Sequence, residues 1–228
     1  MSLDAPARPV PVLAVAGVRK TYRRGPEEVH AVDDVSFTLA PGELVALIGP
    51  SGSGKTTLLN LIVGWEQPDE GSIAWADELG RTPPASEWER AAVVPQRMGL
   101  LAELSIAENV GLPLRLTHGP GAGEEQVAAV LAELGLAHLA DRLPEEASLG
   151  EQQRTALARA LVVDPQVLLA DEPTGHQDEA WVHGVLATLQ AHRQRGMASL
   201  VASHDPDVRE ASDRVIELRD GRIVDMGW

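Results

Sequence analysis

The sequence predicts an α/β fold: a mostly parallel sheet, an antiparallel β subdomain on the N-terminal side and an inserted α-helical subdomain. Three observations predict it. A glycine-rich stretch, Gly49-Pro50-Ser51-Gly52-Ser53-Gly54-Lys55-Thr56, lies between an apolar run and an apolar helix pattern. Strand-like runs then alternate with helical ones, which is the sequence mark of a parallel sheet. Between residues 97 and 163 that alternation gives way to helix alone.

Leu13 to Tyr22 and Val35 to Leu39 alternate like strands around a loop or hairpin tip at Arg23–Glu28, and the second ends at the turn Pro41-Gly42. Leu44 to Ile48 is a continuous apolar run, as expected of a parallel strand covered on both faces. Thr57 to Val63 reads as a helix, Gly71 to Trp75 as a strand, and residues 81–90 as a proline-containing connection running into a short helix. Ala91 to Val94 is a strand that stops at Pro95-Gln96. Helices are expected over Ala102–Leu116, Glu124–Leu134 and Glu151–Val163, with a flexible link at Thr117–Gly123. Glu124 and Glu125 suit a first turn, where the helix dipole favours acid. Val167 to Ala170 resumes the strand pattern, followed by helix Ala180–Arg195, strand Ser199–Ala202 and a short helix from Asp207. Arg214–Leu218 and Arg222–Met226 pair as a hairpin over Asp220-Gly221. The expected organisation is a flexible leader, 1–12, and one domain, 13–228, whose core (13–96 and 164–228) is interrupted by a helical subdomain (97–163).

A chain of 228 residues buries about 70–75% of its unfolded surface, enough for a substantial core. Its longest apolar runs fall well short of the ~20 residues a membrane span needs. The Pro-rich start lacks the basic and apolar regions of a signal peptide, so a cytosolic chain is expected. Without Cys there is no disulfide or thiol chemistry. The net charge of −15 argues against nucleic acid as a partner, which calls for a basic face.

The glycine-rich stretch has the spacing Gly-x-x-x-x-Gly-Lys-Ser/Thr of a phosphate-binding P-loop. Gly49, Gly52 and Gly54 let the backbone curl and turn its N–H groups inward. Pro50, Ser51 and Ser53 complete the cup, and Thr57 opens the helix whose N-terminus faces the anion. Lys55 supplies a compact charge for the β- and γ-phosphates, and the Thr56 hydroxyl is a Mg²⁺ ligand. Only Lys20 and Lys55 are lysines; the other basic side chains are all Arg. A chain that otherwise avoids Lys keeps it where a planar guanidinium would not serve. The apolar strand Val167–Ala170 ends in Asp171 and Glu172. Asp171 can hold the metal, directly or through water, leaving Glu172 as base for an attacking water.

The order of P-loop, Gln96, the stretch 147–154, Asp171-Glu172-Pro173-Thr174-Gly175 and His204-Asp205 resembles the ATP-binding subunit of ABC transporters over essentially the whole chain. Tyr22 with Val29–Val35, Leu100-Leu101, Glu108-Asn109-Val110 and Pro113-Leu114 resemble more closely the subclass serving lipoprotein-release, macrolide-efflux and cell-division-type permeases. The resemblance implies a P-loop NTPase core binding ATP and Mg²⁺. In that core Tyr22 stacks on adenine, Gln96 touches the metal and the attacking water, and His204 contacts the γ-phosphate. Its partners would be an integral membrane permease and a second ATP-binding subunit, with the chain peripheral on the cytoplasmic face of the membrane. Permease docking is expected in the cleft beside Gln96, at Met98–Leu101, unless those side chains are simply subdomain core.

Two stretches depart from the family pattern. The signature, usually Leu-Ser-Gly-Gly-Gln, reads Ala147-Ser148-Leu149-Gly150-Glu151 here. Ser148 and Gly150 remain and Glu151 is a mild change. Leu149 replaces a glycine with a branched side chain that disfavours positive φ. The loop Gly175-His176-Gln177-Asp178 keeps its Asp178 but has Gln177 where the family prefers Leu. Since the family's signature acts on ATP held by the partner subunit, a homodimer would carry Leu149 at both sites and turn over slowly. A heterodimer would have asymmetric sites. Two other readings stay open: a regulatory ATP-binding module with little hydrolysis, and a soluble ABC ATPase acting on DNA or ribosomes. Glu172 argues against the first; the acidity and the single domain argue against the second.

Overall fold

Short runs such as Leu44–Ile48, Val167–Asp171 and Ala198–Ala202 carry no polar face, so they are stable only side by side with both surfaces covered. The computed structural model, which describes residues 10–75, 89–175 and 179–227, has that arrangement. In chain order its elements are β1 (Leu13–Arg24), β2 (Glu27–Leu39), β3 (Leu44–Ile48), α1 (Lys55–Val63), β4 (Glu70–Trp75), β5 (Ala91–Val94), α2 (Ile106–His118), α3 (Glu124–Glu133) and α4 (Leu149–Leu161). There follow β6 (Val167–Asp171), α5 (Glu179–Gln194), β7 (Ala198–Ala202), α6 (Pro206–Ala211), β8 (Arg214–Arg219) and β9 (Arg222–Gly227). Of the expected features, the start of the leader, residues 81–88 of the connection before β5, and His176, Gln177 and Asp178 lie outside the described residues.

The main sheet runs β5-β6-β7-β3-β8-β9, parallel throughout except for the antiparallel edge strand β9. A second, antiparallel sheet runs β2-β1-β4. Side chains that alternate along a strand face opposite layers. Val45 and Leu47 of β3 and Val167 and Leu169 of β6 join a core with α1 and the antiparallel sheet. Leu44, Ala46, Leu168 and Ala170 join the other core, with α2, α4 and α5. Helix α1 is thereby held between two sheets, and the loop that starts it cannot drift.

Several helix starts differ from the periodicity reading by one to four residues, α1 beginning at Lys55 rather than Thr57, and two of them share one reason. α2 begins at Ile106 because Ser105 caps it, with Ser105 Oγ accepting from Glu108 N at 3.1 Å and Glu108 Oε2 accepting from Ser105 N at 2.9 Å. α4 begins at Leu149 because Ser148 and Glu151 form the same reciprocal box. β2 also starts earlier than expected, at Glu27, since pairing with β1 extends to the turn.

The segment between β5 and α2 is held by two polar side chains. Arg159 of α4 donates to Gly99 O at 2.7 Å and Met98 O at 2.6 Å. Asn109 is fully buried: its oxygen accepts from Leu101 N at 2.8 Å, and its nitrogen lies 2.9 Å from Leu104 O and 3.0 Å from Leu101 O. Met98 and Leu100 pack against the core, while Leu101 is 43% exposed. Asn109→Ala would strand a buried N–H and carbonyls without partners, at about 2 kcal/mol or more. The expected result is a lower urea midpoint at unchanged slope.

Candidate functional site: a phosphate cup facing an acid pair

The cup is built where β3 hands over to α1. Gly49 (φ 148°) and Gly54 (φ 103°) have backbones that L residues avoid. A Cβ on Gly49 would lie 2.1 Å from Leu218 O, and one on Gly54 would lie 2.0 Å from Ala31 O. These glycines are therefore required by the protein's own backbone, as the loop nests between β2 and β8. The turn of the last hairpin closes on it from outside, with Gly221 N donating to Ser53 O at 3.1 Å.

No side chain caps the N-terminus of α1, so its first N–H groups remain for an anion. Lys55 Nζ donates to Gly49 O at 2.8 Å and Pro50 O at 3.1 Å, bracing the cup it belongs to. The Ser53 hydroxyl is buried in the cup with no hydrogen-bond partner. An orphaned hydroxyl beside uncapped N–H groups fits a phosphate oxygen.

Opposite the cup, β6 ends at Asp171, 6% exposed. Thr56 Oγ1 donates to Asp171 Oδ2 at 2.6 Å, joining residues from two ends of the core. Burial pushes the Asp171 carboxyl above the ordinary carboxylate range; the Thr56 hydrogen bond and Lys55 oppose this, and the Glu172 charge adds to it. Hydroxyl and carboxylate oxygens converging here suit Mg²⁺, a hard cation that completes its shell with phosphate and water. Gln96, two residues past β5, lines the same cavity. Glu172 follows with φ 54°, a left-handed backbone that costs a non-glycine residue about 1–3 kcal/mol. Its N–H donates to Ala202 O at 2.8 Å. Its carboxylate Oε2 lies 2.9 Å from His204 Nδ1, which is carried just beyond β7.

Cup, Gln96, Asp171, Glu172 and His204 enclose one cavity of about 450 Å³, walled on the remaining side by Val29, His30 and Ala31 of β2. That wall was not expected from sequence; it exists because Tyr22 pairs with Val29, fixing the β1–β2 register. Tyr22 itself does not line the cavity, although it shares a sheet face with its partner Val29, which does. Its hydroxyl donates to Glu66 and is within reach of the Thr57 side chain.

Ser148, Leu149, Gly150 and Glu151 do not line this cavity. They cluster at the N-terminus of α4, with Leu149 52% exposed. The expected backbone conflict at Leu149 does not arise, because the residue is the first of a regular helix and has no positive φ. Only its bulk distinguishes it from glycine. Gln153 Nε2 donates to Gly175 O at 2.9 Å, and the Arg154 guanidinium stacks 5.0 Å above the Trp181 ring, so α4 is tied to the segment after the acid pair.

A glycine cup at a strand–helix junction, facing a strand that ends in two carboxylates, defines a P-loop nucleoside-triphosphate-binding domain. The ABC transporter family profile matches residues 32–175. The chain belongs to that family. It is 41% identical over 222 residues to the lipoprotein-releasing system ATP-binding protein LolD of Granulibacter bethesdensis (strain ATCC BAA-1260 / CGDNIH1), covering 93% of this chain and 96% of that one. It is 40% identical over 220 residues to the macrolide export ATP-binding/permease protein MacB 1 of Yersinia pestis bv. Antiqua (strain Antiqua), covering 93% of this chain but only 34% of that one. The chain thus spans about a third of the length of its MacB relatives. Among solved structures, an ATP-binding cassette captured as a dimer after hydrolysis with ADP and Pi superposes with a TM-score of 0.86 at 31% identity, over 94% of this chain and 97% of that one.

Gly54→Ala places a methyl against Ala31 O in a forbidden conformation, and the cup must open to accept it. Nucleotide affinity is expected to fall at least about tenfold, measured by calorimetric titration, tenfold being about 1.4 kcal/mol.

Proposed function

We propose that this chain is the ATP-binding and hydrolysing subunit of a membrane transporter. The carrying observation is the convergence of Thr56, Asp171, Glu172 and His204 on the mouth of the glycine cup. In this reading Gly49 to Thr57 cradle the phosphates, Lys55 turns from the loop carbonyls to the β- and γ-phosphates, and Tyr22 stacks on adenine. Thr56, Asp171 and Gln96 hold Mg²⁺, which neutralises charge on the phosphates when bound. Glu172 accepts the proton of the attacking water, and its left-handed backbone turns its carboxylate toward the cavity. His204 holds that carboxylate and meets the γ-phosphate.

The second half of the machine is a partner copy or relative. Ser148, Leu149, Gly150 and Glu151 would act on the partner's ATP, with Asp178 at the seam. Residues 97–163 would move as a helical subdomain against a core formed by 13–96 and 164–228. Support comes from the similar dimeric cassette with ADP and Pi, and from the fact that the signature residues do not line their own chain's cavity. Among the described residues no helix is long and apolar enough to cross a membrane. Similarity to ATP-binding proteins of lipoprotein-releasing and macrolide-export systems supports a peripheral place against a permease. The permease would dock at the braced Met98–Leu101 segment, where Leu101 is exposed.

The exposed Leu149 favours a second reading, a weakly hydrolysing regulatory module. Phosphate release separates the two. Glu172→Gln is expected to lower the rate by about 10²–10⁴ while ATP still binds and dimers accumulate on a sizing column. Equal rates for the variant and the natural chain would favour the regulatory module. Because Leu149 sits in relaxed helix, Leu149→Gly removes its bulk at a helix-propensity cost of up to about 1 kcal/mol, and is expected to raise hydrolysis up to about tenfold. An unchanged rate with permease present would clear Leu149 of any braking role.

A further inference from the structure

A tyrosine on an exposed strand is a poor stacking platform unless something holds its ring, since each side chain ordered on binding costs affinity. Tyr22 is 37% exposed, two residues from the end of β1. Its hydroxyl donates to Glu66 Oε2. The other oxygen of that carboxylate accepts from Asn60 Nδ2 at 3.3 Å.

Asn60 belongs to α1, the helix that springs from the phosphate cup. Its carbonyl also accepts from Trp65 N at 3.0 Å and Glu66 N at 3.3 Å, which sets the turn that carries Glu66. The same turn is fastened to β1 from the other side. Thr21 N donates to Asp69 Oδ2 at 2.7 Å, Lys20 Nζ to Gln67 O at 2.8 Å, and Asp69 N to Arg19 O at 2.8 Å. The Lys20 ammonium stands 5.8 Å from the centre of the Tyr22 ring.

We propose that Glu66 is a positioning residue for nucleotide binding: it locks the Tyr22 ring at a fixed distance from the phosphate cup by bridging the phenol to Asn60 of α1. The inference rests on Tyr22 being the adenine platform. Two ends of the same nucleotide are then measured from one helix, whose first turn holds the phosphates while Asn60, in its second turn, holds Glu66 and through it the ring that meets the base. Burial, followed by the Glu66 hydrogen bond, pushes the phenol up to about 12. The hydroxyl therefore stays protonated and donating at neutral pH.

The test is calorimetric titration of ATP and of inorganic tripolyphosphate into the full chain, with steady-state hydrolysis alongside. Glu66→Ala is expected to weaken ATP binding about three- to tenfold and leave tripolyphosphate unaffected, with the loss appearing in KM rather than kcat. Tyr22→Phe keeps the ring and removes the link. It should reproduce that loss, and the double variant should lose no more than either single one. Glu66→Gln, whose amide oxygen still accepts, should recover most of the affinity. If Tyr22→Ala leaves ATP affinity unchanged, the adenine-platform reading is wrong and the inference goes with it. If Tyr22→Ala weakens ATP but Tyr22→Phe and Glu66→Ala do not, the platform stands and the role of Glu66 is refuted. Equal losses of ATP and tripolyphosphate in Glu66→Ala would also refute it, as damage to α1 rather than to the ring.

Discussion

A loop stripped of side chains can go where no other loop fits, and the site depends on that fact. Gly49 and Gly54 press against the carbonyls of Leu218 and Ala31, at distances that leave no room for a Cβ. Through this contact the antiparallel sheet, the parallel sheet and α1 share one point. The cup is shaped by the strands around it as much as by its own sequence, and it is rigid because both neighbours belong to hydrogen-bonded ladders. Its N–H groups are left over after the loop has satisfied its own packing. That is the condition for binding an anion without rearrangement.

Around that fixed point the reactive groups are held by tertiary bonds of long sequence separation. Thr56 and Asp171 meet across the interior, and Glu172 reaches His204 from the next strand over. Adjacent strands of a parallel sheet bring their C-terminal ends to one edge, so β3, β5, β6 and β7 all deliver residues to the same cavity. The strain at Glu172 lies where β6 leaves the sheet, within the site itself.

Helix α4 joins distant parts of the molecule in a different way. Its N-terminus carries Ser148 to Glu151. Its middle reaches Gly175 through Gln153 and Trp181 through Arg154, and its last turn grips Met98 and Gly99 through Arg159. One helix thus contacts both loops, by hydrogen bonds through Gln153 and Arg159. The Arg159 side chain is partly buried, and desolvation holds its pKa below the usual arginine value. Its hydrogen bonds to two carbonyls compensate that burial.

The sequence by itself determined the order of the elements and the residue types that line the candidate site. The P-loop spacing, the acid pair after an apolar strand and the strand–helix alternation are rules acting over a few residues, because φ preferences, period and hydrogen-bonding inventory are local. The two capping boxes, Ser105 with Glu108 and Ser148 with Glu151, were equally local and legible, and reading them would have set both helix starts. Only the tertiary structure decided that Val29 to Ala31 wall the cavity, that Glu66 reaches Tyr22, and that glycine is needed at 49 and 54 to clear protein backbone. Those outcomes depend on register and packing between segments far apart in the chain, and no local rule carries that information.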